Sequence, residues 1–135
     1  MKKLIYLLIF LFTLSGVTCA QNDPGEGGKL REKMIQYIQQ KLGLSKEEAS
    51  KFEPVFTNYL KELRSTNQQY RGDRLVLQDK VVELRLHYRD QFKPIIGEQR
   101  SNEVFTHERN FIKQVQEIRN ERLQNREDGR ANKRF

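Results

Sequence analysis

Residues 44–63 read LSKEEASKFEPVFTNYLKEL, a helix-start signal running into a long apolar pattern. Ser45 and Glu48 stand three apart, just ahead of an apolar pattern. That is the spacing of a capping box, in which the Ser45 hydroxyl accepts the Glu48 amide and the Glu48 carboxylate reaches back to the Ser45 amide. Ala49, Phe52, Val55, Phe56, Tyr59, Leu60 and Leu63 then fall within an arc of about 140° at 100° per residue, the signature of an amphipathic helix. Pro54 lies inside the pattern and removes one backbone donor. Because the apolar face continues on both sides of it, a helix over 45–70 is expected to bend at Pro54 rather than to start there.

Outward from this stretch, helical spacing persists in both directions. On the C-terminal side Gly72 and Asp73 punctuate the chain, with Asp73 a good helix N-cap. Over 74–95 a strand competes with a helix, because Val82, Leu84, Leu86 and Tyr88 alternate with polar residues. The longer pattern Leu77, Val81, Leu84, Tyr88 and Ile95 favours the helix. Pro94 and Gly97 mark a turn, and a helix over 98–125 follows, with Val104, Phe111, Val115 and Ile118 on one line and Phe105, Ile112 and Leu123 widening it. On the N-terminal side, Leu30, Met34, Tyr37, Ile38 and Leu42 set a helix over 28–42 that stops at Gly43. Residues 21–28 (QNDPGEGG) read as a flexible leader, and 124–135 as a basic, disordered tail. The expected fold is all-α: four helices in a hairpin-like, curved layer shaped like a cradle, with the second and fourth helices long.

Composition agrees with one domain over 29–123. The 135 residues include 8 Gly, 3 Pro and no Trp, with 32% charged and 36% hydrophobic side chains. So much charge with so little Gly and Pro fits solvated helices better than a sandwich or barrel, and the length leaves no room for a second core.

Residues 1–20 read as an address. Lys2 and Lys3 give a positive start, 4–14 are apolar with one Thr, and Thr18 and Ala20 stand where a signal-peptide cut is expected. The apolar run is shorter than the roughly 20 residues of a membrane span. The chain is therefore expected to be exported to a periplasmic space, starting at Gln21 after cleavage and then lacking cysteine. The competing reading makes Cys19 a lipid-anchored terminus, with Gly16 three residues before it where an aliphatic residue is usual. Without Lys2 and Lys3 the chain carries 23 basic and 18 acidic groups, a net +5. Export sets nucleic acid aside as the partner of this positive surface. It favours acidic or unfolded polypeptides, with membrane contact only through lipid at Cys19 or through weak electrostatics.

The helix over 74–95 carries two apolar stripes where one is ordinary. Leu77, Val81, Leu84, Tyr88 and Ile95 cluster within about 60° on a helical wheel, and Leu75, Val82 and Leu86 form a second stripe within about 40°, nearly opposite. Arg85, Arg89 and Lys93 line one flank of the second stripe, and Asp79, Glu83 and Asp90 lie beyond its other edge. One core covers one stripe. The second is open to three readings: a helix sandwiched between two others, a homodimer seam, or a surface for non-native or partner chains. In the last, the apolar residues gain from desolvation and the cations attract from a distance.

Leu44, Ser45 and Glu48, followed by Ala49, Phe52 and Pro54, resemble the first Leu-Thr-x-x-Gln motif of the Spy/CpxP-like periplasmic proteins, in particular the small variants of Bacteroidetes-type bacteria. Glu48 stands where that motif has Gln. A second copy falls at 95–99 (IIGEQ), where Ile95 and Gln99 match and Ile96 and Gly97 do not. The resemblance spans about residues 29–123. It implies an exported, all-helical, often dimeric, cradle-shaped protein engaged in ATP-independent chaperoning or in envelope-stress or metal-stress sensing, the latter through one membrane signalling partner. It also implies that the concave face holds clients.

Catalytic chemistry finds little purchase. His87 and His107 are the two histidines. A metal site would need them brought together with Glu83 or Glu103, one turn earlier on each helix; both pairs also fit surface ion pairing. No serine sits in a nucleophile elbow, and no phosphate loop or dinucleotide fingerprint occurs. The expectation is a binding protein without cofactor, not an enzyme.

Overall fold

The computed structural model describes residues 25–131; the address segment at 1–20, Cys19 within it, and the first part of the leader lie outside the described residues. Four α-helices, and no strand among the described residues, make the fold all-α: α1 Glu26–Lys41, α2 Lys46–Gln69, α3 Arg74–Ile96 and α4 Glu98–Ala131. They run 16, 24, 23 and 34 residues, so α4 is about 51 Å long at 1.5 Å per residue.

Each boundary has a local cause. Gly43, at φ 61°, closes α1. The Leu44 amide donates to the Gln39 carbonyl (3.0 Å) and the Gly43 amide to the Gln40 carbonyl (3.2 Å), the paired bonds of a Schellman stop. Both bonds of the capping box open α2: Glu48 N–H to Ser45 Oγ at 3.1 Å and Ser45 N–H to Glu48 Oε2 at 3.0 Å. The helix runs unbroken through Pro54, which is exposed while Phe52 and Phe56 beside it are buried. Asp73 Oδ1 accepts the amides of Leu75 and Val76, both at 3.1 Å, and starts α3. Pro94 is accommodated in the last turn of α3, and Gly97 alone separates α3 from α4. Its φ of 84° with ψ of 166° is a conformation that only glycine adopts without strain.

Packing follows the chain: α2 lies on α3, α3 on α4, and α1 closes against α4 while touching α2. The core is Ile35 and Ile38 of α1 with Leu42 just past its end, Phe52, Phe56 and Tyr59 of α2, Tyr88, Phe92 and Ile96 of α3, and Val104 and Phe111 of α4. Aromatic rings run through it as a ladder, Phe52 against Phe56 (5.2 Å) and Phe92 (5.0 Å), and Tyr59 against Tyr88 (5.4 Å) and Phe105 (5.5 Å). Such pairs add to plain area burial.

The helix ends depart from the sequence expectation in two places. α1 starts at Glu26, inside the Gly-rich stretch expected to be leader, although Gly25 offers no side-chain cap. α4 continues to Ala131, six residues past its expected end and into the stretch expected to be disordered. The apolar pattern stops at Leu123, but Gln124, Arg126 and Glu127 that follow are good helix formers and no breaker intervenes before Gly129.

Candidate functional site

The outer face of α3 is the part of the fold that packing leaves unexplained. α2 and α4 flank α3 but converge on its inner arc, where Tyr88, Phe92 and Ile96 are buried and Leu77, Val81, Leu84 and Ile95 partly so. The second stripe stays in solvent: Leu75 is 78% exposed, Val82 53% and Leu86 46%. α3 is thus a sandwiched helix whose back no other described helix covers. Other exposed apolar side chains lie on α4 at Ile112, Ile118 and Leu123.

The three cations of the flank behave differently from one another. Lys93 pairs with Asp90 Oδ1 at 3.2 Å and with Glu98 Oε1 at 3.6 Å. Arg89 Nε lies 3.7 Å from Asp90 Oδ1, too far for a hydrogen bond, and is itself buried without an acceptor. Arg85 is turned inward. Its Nε donates to Tyr59 Oη at 3.3 Å and its Nη2 to Glu108 Oε2 at 3.4 Å, and its guanidinium stands 5.8 Å from the Phe105 ring centre. The flank expected to present three mobile cations therefore presents two, both beside Asp90. Exposed pairs of this kind contribute little to stability, so a partner's carboxylates can exchange with them at small cost.

The helix-start residues are structural in their contacts. Glu48 grips Arg100 with both oxygens, at 2.5 and 3.0 Å, while Arg100 Nε donates to the Ile96 carbonyl at 2.8 Å. The start of α2 is thereby tied to the start of α4. The Arg100 hydrogen bond, with help from the Ser45 amide, holds the Glu48 carboxyl well down, at about 2. Leu44 packs against the core, and Gln99 reaches only Glu103, at 3.1 Å.

The two histidines are not brought together by any contact. His87 lines an open hollow of about 350 Å³ between α2 and α3 with Glu62, Lys80 and Glu83, and its Nε2 is 2.7 Å from Gln91 Nε2. His107 packs edge-on to Tyr37 of α1, 6.5 Å between ring centres. Glu83 is paired with Lys80 at 2.8 Å. No group of three or more His, Cys, Asp or Glu side chains suited to a metal ion occurs among the described residues. Neighbouring Tyr88 donates to Glu62 Oε1 at 2.7 Å, and burial followed by that bond pushes its hydroxyl up to about 12.

Ile35 and Ser101, both buried, do not stand out in the sequence pattern, and two larger buried residues do not either. Phe92, fully buried, lies on the inner arc of α3 only 40° from Tyr88 and is an anchor of the ladder. Glu108, 1% exposed, sits on the core-facing line of α4 between Val104 and Phe111. A carboxylate at i+4 from one buried apolar residue and i−3 from the next is a legible signal, masked here by the many ordinary surface charges around it. No protein-family model matches this chain, nor does any curated protein or solved structure.

Proposed function

We propose that this chain is an exported, ATP-independent chaperone-like or stress-responsive binding protein that holds non-native polypeptides on the outer face of α3. The observation that carries the reading is the row Leu75, Val82 and Leu86, three aliphatic side chains on one line of one helix, each about half exposed or more. Isolated surface leucines are ordinary, but a row bordered by charge marks a contact surface. Arg89 and Lys93 beside it, loosely held by Asp90, supply attraction for acidic chains without demanding a sequence. The likeness of residues 44–54 to the Spy/CpxP-like start motif supports the same class, and the basic, apolar and small-residue order of 1–20 supports export. No helix among the described residues is long and apolar enough to cross a membrane.

The test is suppression of aggregation of two chemically unrelated unfolding substrates by the purified protein and by Leu86→Asp. Suppression of both at near-stoichiometric ratio, lost in Leu86→Asp while the helical spectrum and melting temperature hold, is expected. No suppression of either substrate, with specific capture of one membrane signalling protein, replaces the chaperone reading by that of a sensor accessory. Unchanged suppression by Leu86→Asp removes the assignment of the surface.

A further inference from the structure

The core holds one ionisable cluster that neither packing nor the outer face accounts for. Glu108 of α4 is sealed from solvent, and its Oε2 accepts Tyr59 Oη of α2 at 2.9 Å and Arg85 Nη2 of α3 at 3.4 Å. Three helices meet at this one oxygen. The grip is slack beside the Glu48–Arg100 pair, which uses both oxygens at 2.5 and 3.0 Å on the surface of the same molecule. A buried ion pair is retained against its desolvation only when geometry and hydrogen bonding are good, and an aliphatic residue at 108 would complete the line from Val104 to Phe111. Burial pushes the Glu108 carboxyl up, against the pull of Arg85 first and then of Tyr59 and Arg109.

The groups facing Glu108 are few. From α2 there is Tyr59, itself edge-on to Tyr88; from α3, Arg85; from α4, Arg109 beside it. α1 presents Tyr37 to the adjoining His107 and Phe111 and no charged contact to Glu108. Arg85 has no other carboxylate partner among the described residues. Its side chain is already 28% exposed and its backbone sits next to Leu86, at the seam between the inner arc and the outer stripe. When Glu108 takes one proton from solvent, no other bond changes, but Arg85 is left as a half-buried cation without its counter-charge. Water then offers the guanidinium a better environment than the core does, and its three-carbon stem reaches the flank where Arg89 and Lys93 lie.

We infer that Tyr59, Arg85 and Glu108 form a latch: closed with Glu108 ionised and Arg85 folded inward, open with Glu108 neutral and Arg85 delivered beside Leu86, so that mild acid strengthens the hold of this face on carboxylate-bearing chains. The inference rests on the reading of the α3 face as the binding surface and adds its regulation. The probe is permanently unfolded, carboxymethylated α-lactalbumin, with binding followed by fluorescence anisotropy from about pH 8 to about pH 5, the interval above the ordinary carboxylate range. One added charge contact strengthens wild-type binding about three- to fivefold across that interval. Glu108→Gln, which keeps the volume and the Tyr59 partner, binds at pH 8 as the wild type does at pH 5, and Arg85→Gln stays weak and flat. Wild-type binding that is flat while Leu86→Asp weakens it overturns the latch and leaves the surface standing. If Leu86→Asp changes nothing, the surface fails, and the latch is read without any partner from the Glu108 carboxyl ¹³C shift and the Arg85 Nε–Hε signal of the unmodified protein. These two signals are expected to move with one shared midpoint, and an Arg85 signal fixed through the Glu108 titration overturns the latch whatever the variants do.

Discussion

The two stripes of α3 predict opposite responses to truncation a few turns apart. Phe92→Ala deletes a fully buried ring that lies 5.0 Å from Phe52, 6.2 Å from Phe105 and 6.3 Å from both Phe56 and Tyr88. Four aromatic neighbours from three helices cannot all collapse into the hole, so the loss stands at the full range for a buried Phe, about 3–5 kcal/mol. A domain of this size holds about 5–15 kcal/mol in all, and at about 4 °C per kcal/mol the melting temperature falls by about 12–20 °C. Val82→Ala removes a side chain already 53% exposed; little transfer free energy is lost, and alanine's helix propensity offsets it by about 0.5 kcal/mol. The expected change is within about 0.5 kcal/mol of zero. Urea unfolding followed by circular dichroism at 222 nm reads both, with unchanged slope for Val82→Ala. A loss from Val82→Ala comparable to that from Phe92→Ala would mean that the outer stripe is covered in the native state, and the reasoning from two stripes would be refuted.

Further expectations concern the helix starts. Glu48 is held at about 2 by Arg100 and the Ser45 amide, below its unfolded value, so its contribution to stability is present above the ordinary carboxylate range and is lost as pH falls through about 2. The difference in urea midpoint between wild type and Glu48→Gln should therefore be largest near neutrality and shrink on acidification; a constant difference from neutral pH to about pH 2 excludes the Arg100 pair as its source. Ser45→Ala removes the hydroxyl that accepts the Glu48 amide and should cost about 1 kcal/mol in thermal unfolding. Gly97→Ala forces a Cβ into φ 84°, ψ 166° at a position where the Cβ itself meets no atom within 4 Å. Its cost, about 1–3 kcal/mol, is backbone strain alone, and an equal loss for Gly72→Ala, where φ is not positive, would contradict that origin.

Much of the fold was legible in local chemistry. Ser45 with Glu48, Asp73 and Gly97 each announce a helix end through a group that satisfies or bends the backbone at that point, and the structure uses each of them. Pro54 was readable as internal because Phe52 and Phe56 keep the same face on either side of it. What escaped depends on contacts far apart in sequence. Nothing near Glu108 says that Tyr59, 49 residues earlier, will donate to it, and nothing near Arg85 says that it will fold inward and not stand with Arg89 and Lys93. The spread of α4 to Ala131 escaped for another reason. Apolar periodicity reports which face is buried, and a helix that runs beyond its neighbours has no face to report.

The path of α1 bears on why the back of α3 is open. A chain that needed to cover Leu75, Val82 and Leu86 had a helix to spare, since α1 is joined to α2 by only four residues and is free to choose a side. It lies instead against α4 and α2, where Ile35, Ile38 and Leu42 complete the core diagonally across from α3. Folding therefore gains nothing from the second stripe, and polar residues at 75, 82 and 86 would serve the helix as well or better on a solvent face. The spacing of seven and then four residues is also that of a seam on which another apolar segment can lie, whereas exposure without a partner would place no such demand on position. Three aliphatic residues kept in register, on a face of α3 that α1 avoids, are what the proposed contact surface would explain and what the packing of the described helices does not.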